Sequence, residues 1–121
     1  MEARQEVQDK RRFPRMELKV TLGYKDLKKL GRPSINVVTT DLGEGGVRFQ
    51  SDQFISLACR LIVEIKIPTA QKPIRAISKV AWIKKVPLSD QYDIGNQFLE
   101  ISKEDKENVA TFVEKLSAPS E

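Results

Sequence analysis

From Leu18 the chain alternates: Leu18, Val20, Leu22 and Tyr24 share one face, with Lys19, Thr21 and Lys25 opposite or flanking. Period-two alternation predicts a half-buried strand. Gly31 and Pro33 punctuate the polar stretch that follows. Ile35, Val37, Val38 and Thr39 open a second, β-branched strand, which is expected to stop at Asp41-Leu42-Gly43-Glu44-Gly45-Gly46. Three glycines in four residues predict a turn that uses positive φ. Val47-Arg48-Phe49 resumes the β pattern, Leu61–Ile67 forms another apolar run ended by Pro68, and Tyr92–Phe98 is the last strand candidate. In the long stretch from Ile74 to Ile83, strict alternation places Ala76, Val80 and Trp82 on one face and Ile77, Ala81 and Ile83 on the other.

The period then changes. Ser102 precedes Lys103-Glu104-Asp105 as a capping box does. Val109, Phe112, Val113 and Leu116 fall at helical spacing and predict one buried face of a helix over Lys103–Leu116. About six strands and a terminal helix, with no helices between the strands, predict a mainly β domain, an antiparallel barrel or sandwich. The length, 121 residues, suits one core. Its expected parts are a flexible arm over residues 1–9, a folded domain over 10–117 and a tail over 118–121.

Composition narrows the chemistry. There is no histidine and one cysteine, which removes the Ser-His-Asp arrangement, the commonest zinc ligand and a Cys-His pair. Cys59 reads as a buried structural thiol, and solvent exposure accounts for Asp90, Asp93, Glu104 and Asp105. No phosphate-binding G-x-x-x-x-G-K loop occurs, and no helical pattern follows the glycines of 43–46 as a dinucleotide fingerprint requires. The chain is expected not to be an enzyme, and to need no metal or other cofactor. No apolar run approaches the roughly 18 residues of a membrane span. A polar N-terminus and a single cysteine predict a cytoplasmic setting. The net charge of +4 is concentrated in two clusters, Lys10, Arg11, Arg12 and Arg15, and Lys25, Lys28, Lys29 and Arg32.

Two short segments remain. Arg11-Arg12-Phe13-Pro14-Arg15 carries arginines four apart, with Pro14 biasing the arm away from helix. Asp41-Leu42-Gly43-Glu44-Gly45-Gly46 is the turn already noted. Together they resemble the PilZ family pattern, an R-x-x-x-R arm followed by a D- or N-x-S-x-x-G turn between barrel strands. Arg11 and Arg15 match the arginines, and Asp41 and Gly46 match the ends of the turn. Gly43 stands where the family has serine. Val80-Ala81-Trp82-Ile83, Tyr92–Phe98 with its glycine before phenylalanine, and Leu99–Leu116 are similar to the family's later strands and closing helix.

The resemblance implies a six-stranded antiparallel β-barrel with a C-terminal α-helix. It also implies a receptor for cyclic di-GMP, with Arg11, Arg12, Arg15, Asp41, Gly43 and Gly46 as the binding set. It further implies a protein effector in motility, exopolysaccharide or secretion machinery. The chemistry is coherent: an arginine fork fits phosphate oxygens and guanine O6/N7, and a carboxylate accepts from guanine N1–H and N2–H₂. Two alternatives stand beside it. One is a degenerate PilZ module that works only by protein contacts, a reading that Gly43 sustains. The other is a small nucleic-acid-binding barrel, which 7% aromatic residues supply poorly with stacking surfaces. Neither nucleic acid nor membrane insertion is expected.

Overall fold

The structure, a computed structural model, describes residues 15–17 and 19–117. The order is β1 (Arg15–Glu17), β2 (Thr21–Asp26), β3 (Ile35–Gly43), β4 (Gly46–Ser51), β5 (Arg60–Lys66), β6 (Ile74–Lys85), β7 (Tyr92–Ile101) and α1 (Lys103–Ser117). Strands β2, β5, β6, β7, β4 and β3 pair in that order, and β3 returns to β2. This is a closed, six-stranded antiparallel barrel. The short β1 pairs with the end of β3 beyond β2, so the two share one edge of that strand. Closure leaves each of the six strands with a neighbour on both sides and removes open barrel edges.

Inward positions follow the period of two. Leu22 and Tyr24 of β2, Val63 and Ile65 of β5, Ile74, Ala76 and Val80 of β6, and Ile94 of β7 are buried. Tyr24 stacks on Phe49 at 5.0 Å between ring centroids. Its hydroxyl shares a 2.8 Å hydrogen bond with the Ser51 hydroxyl, which satisfies the polar end of a ring inside the core. Burial pushes the Tyr24 phenol above its usual range, against a smaller opposing effect of the Ser51 bond.

Three expectations change. The strand before the glycine turn does not stop at Asp41 but runs through Gly43, so the turn shrinks to Glu44-Gly45. Among the described residues no glycine adopts positive φ; Ala58 and Leu88 do. Gly46 and Gly95 serve close approach instead. Strict alternation also fails in β6, where a bulge lies between Val80 and Trp82. Val80 points into the barrel, Trp82 turns outward, and Ile83 packs against the core in its place.

Helix α1 packs against β1, β3 and β6. Val109 and Phe112 are fully or almost fully buried and Val113 partly so. Leu116, expected on the buried face, is 48% exposed. The cap is as expected: the Ser102 hydroxyl accepts from Asp105 N–H at 3.0 Å, and its carbonyl accepts from Lys106 N–H at 2.9 Å. Ser102→Ala is expected to cost about 1 kcal/mol and to lower the melting temperature by roughly 3–6 °C, measured by thermal denaturation. An unchanged melting temperature would mean that the helix end is held by tertiary packing alone.

Candidate functional site

Register across the sheet sorts the candidate residues. Leu42, Val47, Asn96 and Val80 lie opposite one another in β3, β4, β7 and β6, and all four are buried in the barrel. The lines on either side of them therefore face outward. One runs Arg15, Gly43, Gly46, Gln97, Lys79, Arg60. The other runs Glu17, Asp41, Arg48, Gly95, Trp82. The arm and the turn, separated in sequence, are thus brought into register at Arg15 and Gly43. For Arg15 and Glu17 this is a statement about backbone register alone. Arg11 and Arg12, and with them most of the arm, lie outside the described residues.

Two glycines let backbone and ring approach closely. A Cβ at Gly46 would collide with the Asn96 carbonyl oxygen of β7, and one at Gly95 with the Trp82 indole, which lies over it. Both glycines are buried although they sit on the outer lines. The result is a smooth floor beside the Glu44-Gly45 turn. From there a groove of about 1180 Å³ follows the outside of β6 and β7, past Trp82, Gln97 and Leu99, to Ser102 at the start of α1.

Asp41 is 9% exposed. Its Oδ2 lies 3.5 Å from Arg48 Nη1. Arg48 Nε donates to the Thr40 hydroxyl at 2.9 Å and sits 3.3 Å from Asp93 Oδ1. The Thr40 hydroxyl donates in turn to the Arg48 carbonyl at 3.1 Å. The Nε–H is directed at Thr40, so Asp93 is held by charge more than by a hydrogen bond. One guanidinium on β4 therefore orients two carboxylates, one on each of the strands that flank it. Asp93, expected to be explained by solvent exposure in a loop, is a strand residue with its side chain 21% exposed and paired.

Arg48, Trp82, Gly95, Gln97 and Asp93 were not among the sequence candidates. A signal for Arg48 was present. With the turn at Glu44-Gly45, antiparallel pairing sets 43 against 46, 42 against 47 and 41 against 48. Asp41 and Arg48 are then cross-strand partners by position alone.

Cys59 is only partly buried, its Sγ 3.7 Å from Asp26 Oδ2. Burial first, and the Asp26 charge second, push its thiol above the usual range, the reverse of an activated nucleophile. Among the described residues no group of three or more acidic or cysteine side chains is placed to hold a metal, and no helix is long and apolar enough to cross a membrane.

A closed antiparallel barrel capped by a C-terminal helix, with an arm strand registered beside an Asp-x-Gly-x-x-Gly turn, defines a class of small β-barrel domain. The PilZ domain family model matches residues 9–115; the chain belongs to that family. No curated protein matches the sequence. In fold it is similar to the Bacillus subtilis inhibitor of motility MotI/DgrA, with TM-score 0.75 and 15% identity over 89% of this chain and 51% of that one. It is also similar to the PilZ domain of Escherichia coli YcgR with c-di-GMP, at TM-score 0.67 and 14% identity over 89% of this chain and 92% of that one. The K. pneumonia MrkH–c-di-GMP complex is another such structure, at TM-score 0.68 and 17% identity over 89% and 52%. The chain spans about half the length of MotI/DgrA and of MrkH.

Proposed function

We propose that this chain is a receptor module for cyclic di-GMP, in which the ligand is held between the Arg11–Arg15 arm and the Asp41–Gly46 turn. The observation that carries the reading is the register that sets Arg15 opposite Gly43. It brings the end of a permanently cationic arm beside a turn with an oriented carboxylate and a smooth glycine floor. Arg11, Arg12 and Arg15 supply forks for two phosphates and for guanine O6/N7. Asp41, oriented through Oδ2 by Arg48, accepts from a guanine N1–H and N2–H₂. Gly43 and Gly46 let ligand and backbone meet. The YcgR and MrkH structures that share this fold are complexes with the same ligand. Ordering of the arm by the ligand then presents a new surface to a protein effector, in motility, exopolysaccharide or secretion machinery.

Calorimetric titration of the full chain with cyclic di-GMP tests this. Saturable heat is expected with cyclic di-GMP and none with GMP at the same concentration. A folded chain that gives no heat with either removes the receptor reading.

The second reading, an adaptor working by protein contacts alone, is favoured by one observation: Gly43 has no hydroxyl. A serine there adds one hydrogen bond to ligand or loop, worth about 0.5–1.5 kcal/mol net. Gly43 does not use positive φ, so serine meets no backbone strain. Gly43→Ser is expected to tighten cyclic di-GMP binding roughly three- to tenfold, read by the same titration. Binding by the variant and none by the parent would assign the adaptor reading to the natural chain.

A further inference from the structure

The second basic cluster takes no part in the nucleotide site. Lys25, Lys28, Lys29 and Arg32 surround the tip of the β2–β3 hairpin, and Lys28, Lys29 and Arg32 are exposed. Between residues 25 and 35 the one acid is Asp26, and its carboxylate is engaged internally. Oδ1 accepts from Lys28 N–H at 2.8 Å, and Oδ2 lies 3.7 Å from the Cys59 thiol. The patch continues across the barrel. Leu27 N–H donates to the Arg60 carbonyl at 3.0 Å, Arg60 is exposed, and Arg60 pairs in register with Lys79.

The tip protrudes as a convex loop: residues 28–36 are all exposed. Lys29 N–H bonds to the Asp26 carbonyl and Arg32 N–H to that of Lys29, two successive turns that form a knuckle. At its crest Leu30 is 52% exposed between Lys29 and Gly31. Lys25 Nζ reaches the Leu30 carbonyl at 3.4 Å.

We propose that this hairpin tip is a peripheral docking element for an anionic lipid surface. The four cations around the tip, Lys25, Lys28, Lys29 and Arg32, meet the negative potential of a bilayer rich in acidic headgroups, and Leu30 enters the interface at the crest. Shape decides the occupant. A convex knuckle fits a plane, whereas an acidic peptide needs a groove. Single-stranded nucleic acid needs stacking surfaces, and the hairpin's one aromatic, Tyr24, is buried in the core. The contact is electrostatic and superficial, not an insertion, and it is independent of the nucleotide site.

The test is co-sedimentation of the full chain with vesicles of phosphatidylcholine, alone or with about one-third phosphatidylglycerol. Binding is expected to the anionic vesicles only, and to disappear as salt rises from about 0.05 M to about 0.5 M. The variant Lys25→Gln/Lys28→Gln/Lys29→Gln/Arg32→Gln is expected to bind on the order of tenfold or more weakly, while its cyclic di-GMP titration matches the parent's. The variant Lys72→Gln/Lys84→Gln/Lys103→Gln/Lys115→Gln removes equal charge from exposed positions elsewhere and is expected to stay within about twofold of the parent. Lys28→Gln/Lys29→Gln carries the same test with two exposed side chains should the fourfold tip variant lose its fold. No binding to anionic vesicles, or equal loss in the tip and control variants, overturns the proposal. A tip variant that loses single-stranded DNA binding but keeps vesicle binding overturns it in favour of nucleic acid.

Discussion

Arg15→Ala is expected to weaken cyclic di-GMP binding by about 2–4 kcal/mol, a loss of roughly thirty- to a thousandfold. The residue closes the arm motif and stands opposite Gly43 in the β1–β3 pair. On the proposed reading, its guanidinium makes charge-assisted bonds to a phosphate or guanine held against the barrel. Removing one partner of such a bond leaves the other charge uncompensated at a partly desolvated site, which is why the loss exceeds that of a neutral hydrogen bond. Arg11→Ala is expected to lose a similar amount, being one motif period away. Arg4→Ala, outside the motif, is expected to change binding by less than about twofold. Calorimetry on the three variants, with thermal melting to confirm that each is folded, reads the difference. Equal losses for Arg4 and Arg15 would show that the arm attracts the ligand by net charge alone.

The arm motif stands in the sequence without a structure; the surface it is proposed to work against stands there only in part. Period-two alternation identifies β2, β5 and most of β6, because one face of each is buried and every second residue must be apolar. It fails at Val80-Ala81-Trp82, because a bulge inserts one residue and no composition signal marks it. That single residue moves the indole from the core to the outer surface, beside Gly95 and the groove. Helical spacing likewise ranks Leu116 with Val109 and Phe112. It carries no information about which turns of the helix find a covering partner, and Leu116 is left exposed.

The candidate site divides in the same way. Asp41, Gly43 and Gly46 are visible as a motif because their types and spacing are local. Asp93, Gly95 and Gln97 reach the site through the β4–β7 pairing, in which residues about fifty positions apart face each other. Local pattern is silent on that pairing. Arg48 falls between the two cases: hairpin arithmetic places it, once the turn is narrowed to Glu44-Gly45. The glycine clusters were legible as special, but for a different reason than expected. Space, not left-handed backbone, is what Gly46 and Gly95 provide.

That distinction makes a prediction about stability. Gly46→Ala is expected to destabilise the fold by about 3 kcal/mol or more, lowering the melting temperature by on the order of 10 °C. The added methyl would meet the Asn96 carbonyl oxygen, with the Asn96 carbonyl carbon at 3.1 Å and Gln97 Cα at 3.3 Å behind it. All three are backbone atoms of β7, fixed by pairing to β4 on one side and β6 on the other. They retreat only if the β4–β7 seam opens, and that seam is one of those closing the barrel. Gly95→Ala meets a different obstacle, the ring of Trp82. A side chain can rotate, and the groove beside it offers space. Its cost is expected to be smaller, about 1–2 kcal/mol, and to come with a red shift in fluorescence as the indole leaves its place over β7. Trp82 is the chain's one tryptophan, so the signal is unambiguous. Thermal melts and emission spectra of the two variants separate the cases: a large loss of stability without a spectral shift at low temperature for Gly46→Ala, and a modest loss with a shift for Gly95→Ala. A Gly46→Ala protein that melts with the parent would show that β4 and β7 are not in the close contact described.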